Sequence, residues 1–163
     1  MRIVLGVTGA SGSIFAVEFL RRLGEEDAYL ILSRWGKSVL HQETGLTPES
    51  LATFAKRIFS NDDLNAPLAS GSNSFDALVI LPCSVSTLGK IAHGIGDNLI
   101  TRCAAVALKE RRKLIICLRE TPLSTIDLEN AHKLSLAGAI LMPVCPPFYQ
   151  KPQSLPDLIN GFV

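Results

Sequence analysis

The sequence has no excess of charge of either sign. Its 16 lysine and arginine residues nearly balance its 15 acidic residues, and the formal net charge at pH 7 is +1. Proteins that bind nucleic acids or anionic membranes electrostatically carry a marked basic excess, so we expect neither partner. Only 19% of the residues are charged, and the mean hydropathy is +0.29. These values predict apolar surface that is buried between the subunits of a homo-oligomer.

Paired cysteines and long apolar runs are also missing. The four cysteines include no C-x-x-C pair, so we interpret them as buried thiols in a reducing compartment, with no metal site. No apolar run approaches the ~18 residues of a membrane span. Because the chain begins directly with a predicted strand, we expect a cytoplasmic protein without a targeting peptide. Its 163 residues suffice for one domain, which we expect to span residues 1–163.

A strand, a glycine-rich loop and a helix open the chain. The apolar stretch 2–7 predicts the strand, and the small residues of 8–13 lead into a helical pattern that begins at Ile14. Backbone NH groups at such a helix start can surround an anion, so we expect a phosphorylated ligand at this loop. A tight turn that binds nothing is the alternative.

Two dinucleotide signatures are incomplete. The loop motif T-G-x-x-G-x-x-G requires a third glycine where this chain has Phe15. The Y-x-x-x-K pair of short-chain dehydrogenases is absent, because Ser33 follows Tyr29 and Gln153 follows Tyr149 at that spacing. The sequence therefore disfavours this class of oxidoreductase.

Apolar strands alternate with helices along the rest of the chain. We expect further strands over 28–32, 76–81, 114–118 and 139–142, and helices over 37–44, 48–55, 98–110, 127–137 and from 155 onward, with a loop over 61–74. Thr47 is the expected cap of the helix at 48–55. The alternation predicts a parallel sheet of the α/β class, with residues 9–11, 33 and 84–87 at the edge that forms the ligand crevice. Helix capping alone would also explain Ser84 or Ser86.

Basic and acidic residues are placed where they could act on a phosphate. Arg102 and Lys109 lie on one helical face with Val106 between them, although a solvated basic edge is the alternative. Arg119 and Glu120 follow a predicted strand, where an arginine can clamp phosphate and a glutamate can transfer protons. An ion pair between them is the simpler possibility.

Two loop segments contain polar residues that have both a functional and a structural interpretation. The adjacent acids Asp62 and Asp63 do not complete the magnesium-binding motif D-D-x-x-D, because position 66 is alanine. We interpret them as solvated loop residues. The small, hydroxyl-rich turn 69–72 fits a ligand contact and a simple connection equally well.

Seven motifs in a fixed order resemble those of one enzyme family. They are T-G-A-S-G at 8–12, A-S-G-S at 69–72, P-C-S-x-x-T at 82–87, D-N-L-I-x-R at 97–102, A-L-K-E-R-R at 107–112, R-E-T-P at 119–122 and P-x-F-Y-x-x-P-x-S at 146–154. Over essentially its whole length, the chain resembles the UbiX-type flavin prenyltransferases. The resemblance implies a three-layer α/β fold with a Rossmann-like or flavodoxin-like doubly wound parallel sheet.

The resemblance also implies a reaction. Enzymes of this type join the dimethylallyl group of dimethylallyl monophosphate to N5 and C6 of reduced FMN, which is a substrate, and they need no metal. The prenylated FMN then serves a UbiD-type decarboxylase. The family assembles as trimers grouped into dodecamers, with sites shared between subunits.

Matching positions imply residue roles. The expected FMN contacts are Gly9, Ala10, Ser11, Ser33, Ser84, Val85, Ser86, Thr87 and Arg119. The allylic phosphate would be held by Arg102, Lys109, Glu120 and Tyr149. The catalytic candidates are Glu43 near flavin N5, Ser11 at the reacting end of the flavin, Lys109, and Glu120 for proton transfer at the phosphate. Positive charge from Arg102 and Lys109 would replace a metal, and the ring face of Tyr149 would stabilise allyl cation character.

Two alternatives and one departure accompany the resemblance. FMN-dependent cysteine decarboxylases share the fold, but their P-A-S-A-N-T motif reads differently here at 82–87, and their methionine-containing motif is absent. A non-catalytic FMN carrier is the other alternative.

Family members usually continue the last helix beyond the position of Val163, with a basic residue shortly afterwards. We therefore expect a shortened last helix here and a phosphate clamp without that residue.

Overall fold

The computed structural model describes residues 1–24 and 28–163, which contain one parallel sheet flanked by helices. The strands are β1 Ile3–Val7, β2 Ala28–Leu32, β3 Arg57–Ser60, β4 Ala77–Cys83, β5 Lys113–Leu118 and β6 Ile140–Leu141. The helices are α1 Ser13–Leu23, α2 Arg34–Thr44, α3 Val85–Ala92, α4 Leu99–Lys109, α5 Thr125–Leu136 and α6 Leu155–Phe162.

The strand order creates a crevice between the two central strands. The order is β3-β2-β1-β4-β5-β6, and every neighbouring pair is parallel. The chain thus winds outward in one direction from β1 and, after crossing back, in the other direction from β4. Ligands of doubly wound sheets bind outside the carboxyl ends of the strands at this switch point.

Alternate side chains of the strands form two cores, one on each face of the sheet. Leu5 and Leu30 pack with α1 and α2, whereas Val4 and Ile31 belong to the core that α3, α4 and α5 cover. The central strands β1 and β4 are buried throughout, as expected for parallel strands with helices on both faces. The predicted three-layer α/β fold is confirmed.

Several elements differ from the sequence prediction. The strand β3 was not predicted, because it is an edge strand in which only Phe59 is buried. The segment predicted as a helix over 48–55 is a 3-10 helix over Glu49–Phe54, and no side chain caps it, so the capping role of Thr47 is wrong. The backbone NH of Lys56 already donates to Ala28 O beside β2, which leaves too little chain for a longer helix. A short 3-10 helix, Pro67–Ala69, lies within the predicted loop.

Helix α2 approaches β1 so closely that one position admits only glycine. A Cβ atom built on Gly36 would lie 2.4 Å from the carbonyl oxygen of Val7. That obstacle is backbone at the centre of the sheet, which cannot move without disturbing the carboxyl edge. Gly89 in α3 is different, since its nearest neighbour would be Asn130 Nδ2 at 3.4 Å, an ordinary contact.

We predict opposite effects for alanine at these two helical glycines. Gly36→Ala should lower the free energy of unfolding by about 2 kcal/mol, because the added methyl group overpacks the contact between helix and strand. Gly89→Ala should leave stability unchanged or raise it by up to about 1 kcal/mol, because alanine is the better helix former. Urea denaturation followed by circular dichroism measures both changes. Equal destabilisation by the two variants would contradict the close approach.

Three of the four cysteines are buried and one is exposed. Burial raises the pKa of Cys83, and it raises the pKa values of Cys103 and Cys117 to about 12. Cys145 is exposed. Since the thiolate is the reactive form, a raised pKa leaves almost none of it at neutral pH. The prediction that the cysteines are buried is therefore wrong for Cys145.

We expect one thiol per chain to react with a disulfide reagent near pH 7.5 in the native protein, and that thiol to be Cys145. All four should react once the chain is unfolded. Absorbance of the released thiolate measures the count, and Cys145→Ser should abolish the native reaction. Fast reaction of more than one thiol in the folded protein would contradict the burial.

Candidate functional site

A cavity of about 280 Å³ lies at the carboxyl edge of the sheet, beside the switch point. We call it the carboxyl-edge cleft. It is lined by Thr8, Gly9, Ser33, Trp35, Asn61, Ser84, Ser86, Thr87, Lys90, Asn98 and Ile100. Five of the predicted flavin contacts thus share one cavity, namely Gly9, Ser33, Ser84, Ser86 and Thr87.

Thr8 joins the two strands that flank the cleft. Its hydroxyl donates to Pro82 O at 2.8 Å and accepts from the backbone NH of Ser84 at 2.8 Å. The side chain is 2% exposed, so these hydrogen bonds form away from water. Thr8 therefore fixes the position of Ser84 relative to the loop that follows β1.

Two helices begin at the cleft with serine caps. Ser33 Oγ accepts from Gly36 N at 2.9 Å at the start of α2, and Ser84 Oγ accepts from Thr87 N at 3.3 Å at the start of α3. The capping alternative for Ser84 is thus confirmed, whereas Ser86 is not a cap. Helical geometry gives the NH groups of Val85 and Ser86 no acceptor within α3. These donors, with the positive end of the helix dipole, suit an anion.

Sequence reasoning missed several residues of the cleft. Trp35 packs against the opening loop so closely that a Cβ on Gly9 would lie 2.5 Å from the Trp35 Cβ. Lys90 lies one turn after Thr87 in α3, and that spacing was the signal that could have identified it. Asn61 lies far away in the sequence and reaches the cleft because it binds the start of α4, where it accepts from Ile100 N at 3.0 Å.

The loop after β1 has a carboxylate bound where we predicted a phosphate. Glu43 Oε2 accepts from Gly12 N at 3.0 Å and from Ser13 N at 2.8 Å, and Oε1 lies 3.1 Å from Gly12 N. These NH groups stand at the start of α1. The predicted anion is therefore supplied by the chain itself, from the last turn of α2, and the phosphate expectation for these donors is wrong.

Glu43 and Ser11 share a second cavity. It has a volume of about 520 Å³ and is lined by Ser11, Gly12, Ile14, Val17, Arg21, Glu43, Thr44, Leu46 and Leu155. The two predicted catalytic residues are thus neighbours. Ala10, which precedes Ser11 in the same loop, is buried at 7% exposure, so a ligand would contact its backbone atoms rather than its side chain.

We predict that Glu43 stabilises the fold as a helix cap. Glu43→Ala should lower the free energy of unfolding by about 1 kcal/mol, because two NH groups at the start of α1 lose a charged acceptor. Glu43→Gln should cost less, since an amide oxygen still accepts. Gln42→Ala, an exposed change on the same turn, serves as the control. Denaturant unfolding compares the three, and an effect of Glu43→Ala no larger than that of Gln42→Ala would contradict the cap.

The two cations of α4 line a third cavity, of about 400 Å³, together with the turn 69–71. Arg102 Nε donates to Ala69 O at 3.2 Å, and Lys109 Nζ lies 3.1 Å from Glu110 Oε1. Arg112 holds the same turn by donating to Gly71 O at 2.6 Å. The prediction that Arg102 and Lys109 share one face of a helix is confirmed, and we call this cavity the cationic cavity.

The remaining predicted residues lie elsewhere on the chain. The backbone NH of Arg119 donates to Cys83 O at 3.0 Å, which places Arg119 beside Ser84 at the carboxyl edge. Glu120 is exposed, and its Oε1 accepts from Thr121 N at 3.0 Å. Tyr149 is 83% exposed and lines neither the carboxyl-edge cleft nor the cationic cavity. The cations, Glu120 and Tyr149 are thus not brought together within one chain.

Residues 1–24 and 28–163 contain neither a metal-binding cluster nor a membrane-spanning helix. No group of three or more histidine, cysteine, aspartate or glutamate side chains there is arranged to hold a metal ion. Asp62 and Asp63 are exposed loop residues, as predicted. In the same part of the chain, no helix has the length and apolar character that crossing a membrane requires.

Known proteins resemble the chain over nearly its whole length. The sequence family described as Flavoprotein matches residues 1–160. The flavin prenyltransferase UbiX of Thermoplasma acidophilum is 50% identical over 159 residues, which are 98% of this chain and 88% of that protein. A crystal structure of AnUbiX in complex with FMN and dimethylallyl pyrophosphate has a TM-score of 0.95 and 40% identity, covering 99% of this chain and 87% of that one.

One similar structure is a described assembly. The crystal structure of a dodecameric FMN-dependent UbiX-like decarboxylase from Escherichia coli has a TM-score of 0.95 and 36% identity. The match covers 99% of this chain and 90% of that chain. Both the sequence and the fold of the chain thus resemble those of proteins that act on or with flavin.

Proposed function

The chain belongs to the flavoprotein family and, within it, to the UbiX-type flavin prenyltransferases; from this membership we propose that it transfers a dimethylallyl group to reduced FMN. The donor is dimethylallyl monophosphate, and the product is FMN prenylated at N5 and C6. The observation that carries the proposal is the combination of an anion-binding cleft at the switch point with two cations on one face of α4. We also propose that residues 1–163 act as one flavin-binding domain.

The carboxyl-edge cleft fits FMN. The hydroxyl groups of Ser33, Ser86 and Thr87 and the NH groups at the start of α3 donate hydrogen bonds to phosphate. Arg119, anchored beside Ser84 by its backbone, adds a guanidinium at the same edge. Gly9, Ala10, Ser11 and Val85 would hold the flavin mainly through backbone atoms. When bound, reduced FMN supplies the nucleophilic nitrogen and carbon that accept the prenyl group.

The cationic cavity fits the departing phosphate of the donor. As the ester C–O bond of the allylic phosphate breaks, negative charge moves onto the phosphate oxygens, and Arg102 and Lys109 neutralise it. Glu120 exchanges a proton with that phosphate. The ring face of Tyr149 stabilises the positive charge that develops on the allyl group, by about 1 kcal/mol or more once water is excluded.

Glu43 and Ser11 act at the reacting end of the flavin. The carboxylate of Glu43 is already held by two backbone NH groups, so its orientation is fixed before substrates bind. From that position it accepts the proton that leaves the flavin nitrogen, while the Ser11 hydroxyl orients the ring.

We propose that the phosphate clamp is completed between subunits. Within one chain, Tyr149 and Glu120 do not line the cavity that contains Arg102 and Lys109. Exposed apolar side chains such as Leu136, at 77% exposure, and Phe148, at 74%, provide surface for such contacts. A homo-oligomer built from trimers, in a dodecamer like that of the Escherichia coli relative, would bring the two sets of residues together.

Metal independence, the downstream partner and the compartment are further parts of the proposal. Arg102 and Lys109 supply the positive charge that a divalent cation would otherwise provide. The prenylated product would be used by a UbiD-type decarboxylase. The four cysteines, which form no disulfide, support a cytoplasmic location.

A mass assay tests the reaction. The protein, reduced FMN and dimethylallyl monophosphate, incubated without oxygen and with a chelator, should yield flavin heavier by one prenyl group. Lys109→Ala should lower kcat about 100-fold, because charge stabilisation of the leaving phosphate is lost, whereas FMN binding should persist. Lys113→Ala, an exposed change at the other end of β5, should leave turnover unchanged.

Other results would identify the alternatives. Unchanged flavin mass with folded, FMN-binding protein would point to a carrier, and oxidative decarboxylation of a cysteine-ended peptide would point to the decarboxylase class. Activity only after metal addition would overturn the metal-independent part alone.

A further inference from the structure

Lys90 is the one charged side chain among the described residues that line the carboxyl-edge cleft. The other polar groups there are neutral hydroxyls and amides. Lys90 is on the same face of α3 as Ser86 and Thr87, which lie four and three residues before it. A ligand that binds the start of α3 therefore meets the positive charge of Lys90 one turn further along the same face of the helix.

Asp97 holds the Lys90 ammonium group without burying it. Lys90 Nζ lies 2.6 Å from Asp97 Oδ2, and the two side chains are 40% and 49% exposed. Asp97 Oδ1 also accepts from Asn98 Nδ2 at 2.9 Å. The hydrogen bond from Lys90, together with its positive charge, lowers the pKa of Asp97, so the carboxylate is charged at neutral pH. An exposed pair of this kind is weak and exchanges partners readily.

A phosphate monoester is a better partner for Lys90 than Asp97 is. At pH 7 it carries a charge of about −1.5 to −2 and three acceptor oxygens. The donors of Ser84, Ser86 and Thr87 orient such a group but carry no net charge, so Lys90 would share its neutralisation with Arg119, which is anchored beside Ser84. A neutral flavin would gain nothing from the exchange, because it offers no oxyanion to replace the Asp97 carboxylate.

We propose that Lys90 exchanges Asp97 for the FMN phosphate and thereby makes the cleft select phosphorylated flavin over riboflavin. The proposal rests on the proposed flavin site and adds a specificity-determining residue to it. Asp97 acts as the resident counterion, which competes with the phosphate and keeps Lys90 oriented in its absence.

The single tryptophan of the chain provides a readout that does not depend on turnover. Trp35 lines the cleft and is the only tryptophan, so bound flavin should quench its fluorescence. Titration with FMN and with riboflavin gives two dissociation constants for each variant, and equilibrium dialysis of the flavin checks them independently. Because the two ligands share the ring system, riboflavin binding also reports whether a variant is folded.

We expect Lys90→Gln to weaken FMN binding about tenfold, the lower range for a hydrogen bond to a charged group, and to leave riboflavin binding unchanged. Lys90→Arg, which keeps the charge, should restore most of the affinity. Asp97→Asn should tighten FMN binding severalfold, because the competing carboxylate is removed. Lys113→Gln is the matched control and should change neither constant. The FMN constant of the parent protein should also depend more strongly on salt than that of Lys90→Gln.

Two results would overturn the proposal, and they are distinguishable. If FMN binds but Lys90→Gln weakens FMN and riboflavin equally, or weakens neither, then Lys90 does not recognise the phosphate and the flavin site stands. If neither flavin binds by fluorescence or by dialysis, the flavin site itself is wrong and the role of Lys90 fails with it.

Discussion

The hydroxyl of Thr8 ties the two central strands together at the place where the chain changes winding direction. The hydroxyl donates to Pro82 O near the end of β4 and accepts from the backbone NH of Ser84, the first residue beyond that strand, so it joins the loop after β1 to the start of α3. Thr8, Gly9, Ser84, Ser86 and Thr87 of the cleft lie on these two segments, and Trp35 packs against Gly9. The crevice of a doubly wound sheet is a gap between connections that leave in opposite directions, and the buried hydrogen bonds of Thr8 span the two strands that border it.

The charges of the molecule are distributed between sites rather than concentrated in one. Lys90 lines the carboxyl-edge cleft, and Arg102 and Lys109 line the cationic cavity. The Glu43 carboxylate accepts hydrogen bonds at the start of α1. Each cavity is therefore incomplete as a catalytic centre for a reaction that needs a flavin, a phosphate clamp and a proton acceptor together. In the proposed assembly, the exposed apolar surface and the exposed Tyr149 would unite these cavities.

The sequence predicted the fold well because the fold depends on local alternation. Apolar runs such as 28–32 and 76–81 alternate with amphipathic helices, and each of these runs corresponds to one strand. The sequence did not predict the edge strand β3, because only Phe59 of its residues is buried and the strand therefore lacks an apolar run. The ends of predicted strands placed Ser33 and Ser84 at the cleft, but Asn61 and Trp35 reach it through contacts distant in sequence. The binding of Glu43 to Gly12 and Ser13 depends on the packing of α2 against α1, which no spacing along the chain encodes.

The turn at 69–71 holds its arginines through carbonyl oxygens. Arg102 donates to Ala69 O and Arg112 to Gly71 O, and main-chain oxygens are present whatever side chain a position carries. Ser70 and Ser72 act on these arginines only through the shape of the turn, in which their two hydroxyl oxygens lie 2.8 Å apart and Ser70 Oγ accepts from Ser72 N at 3.4 Å. The backbone of the turn, rather than the chemistry of its side chains, thus sets the direction of the positive charge in the cationic cavity.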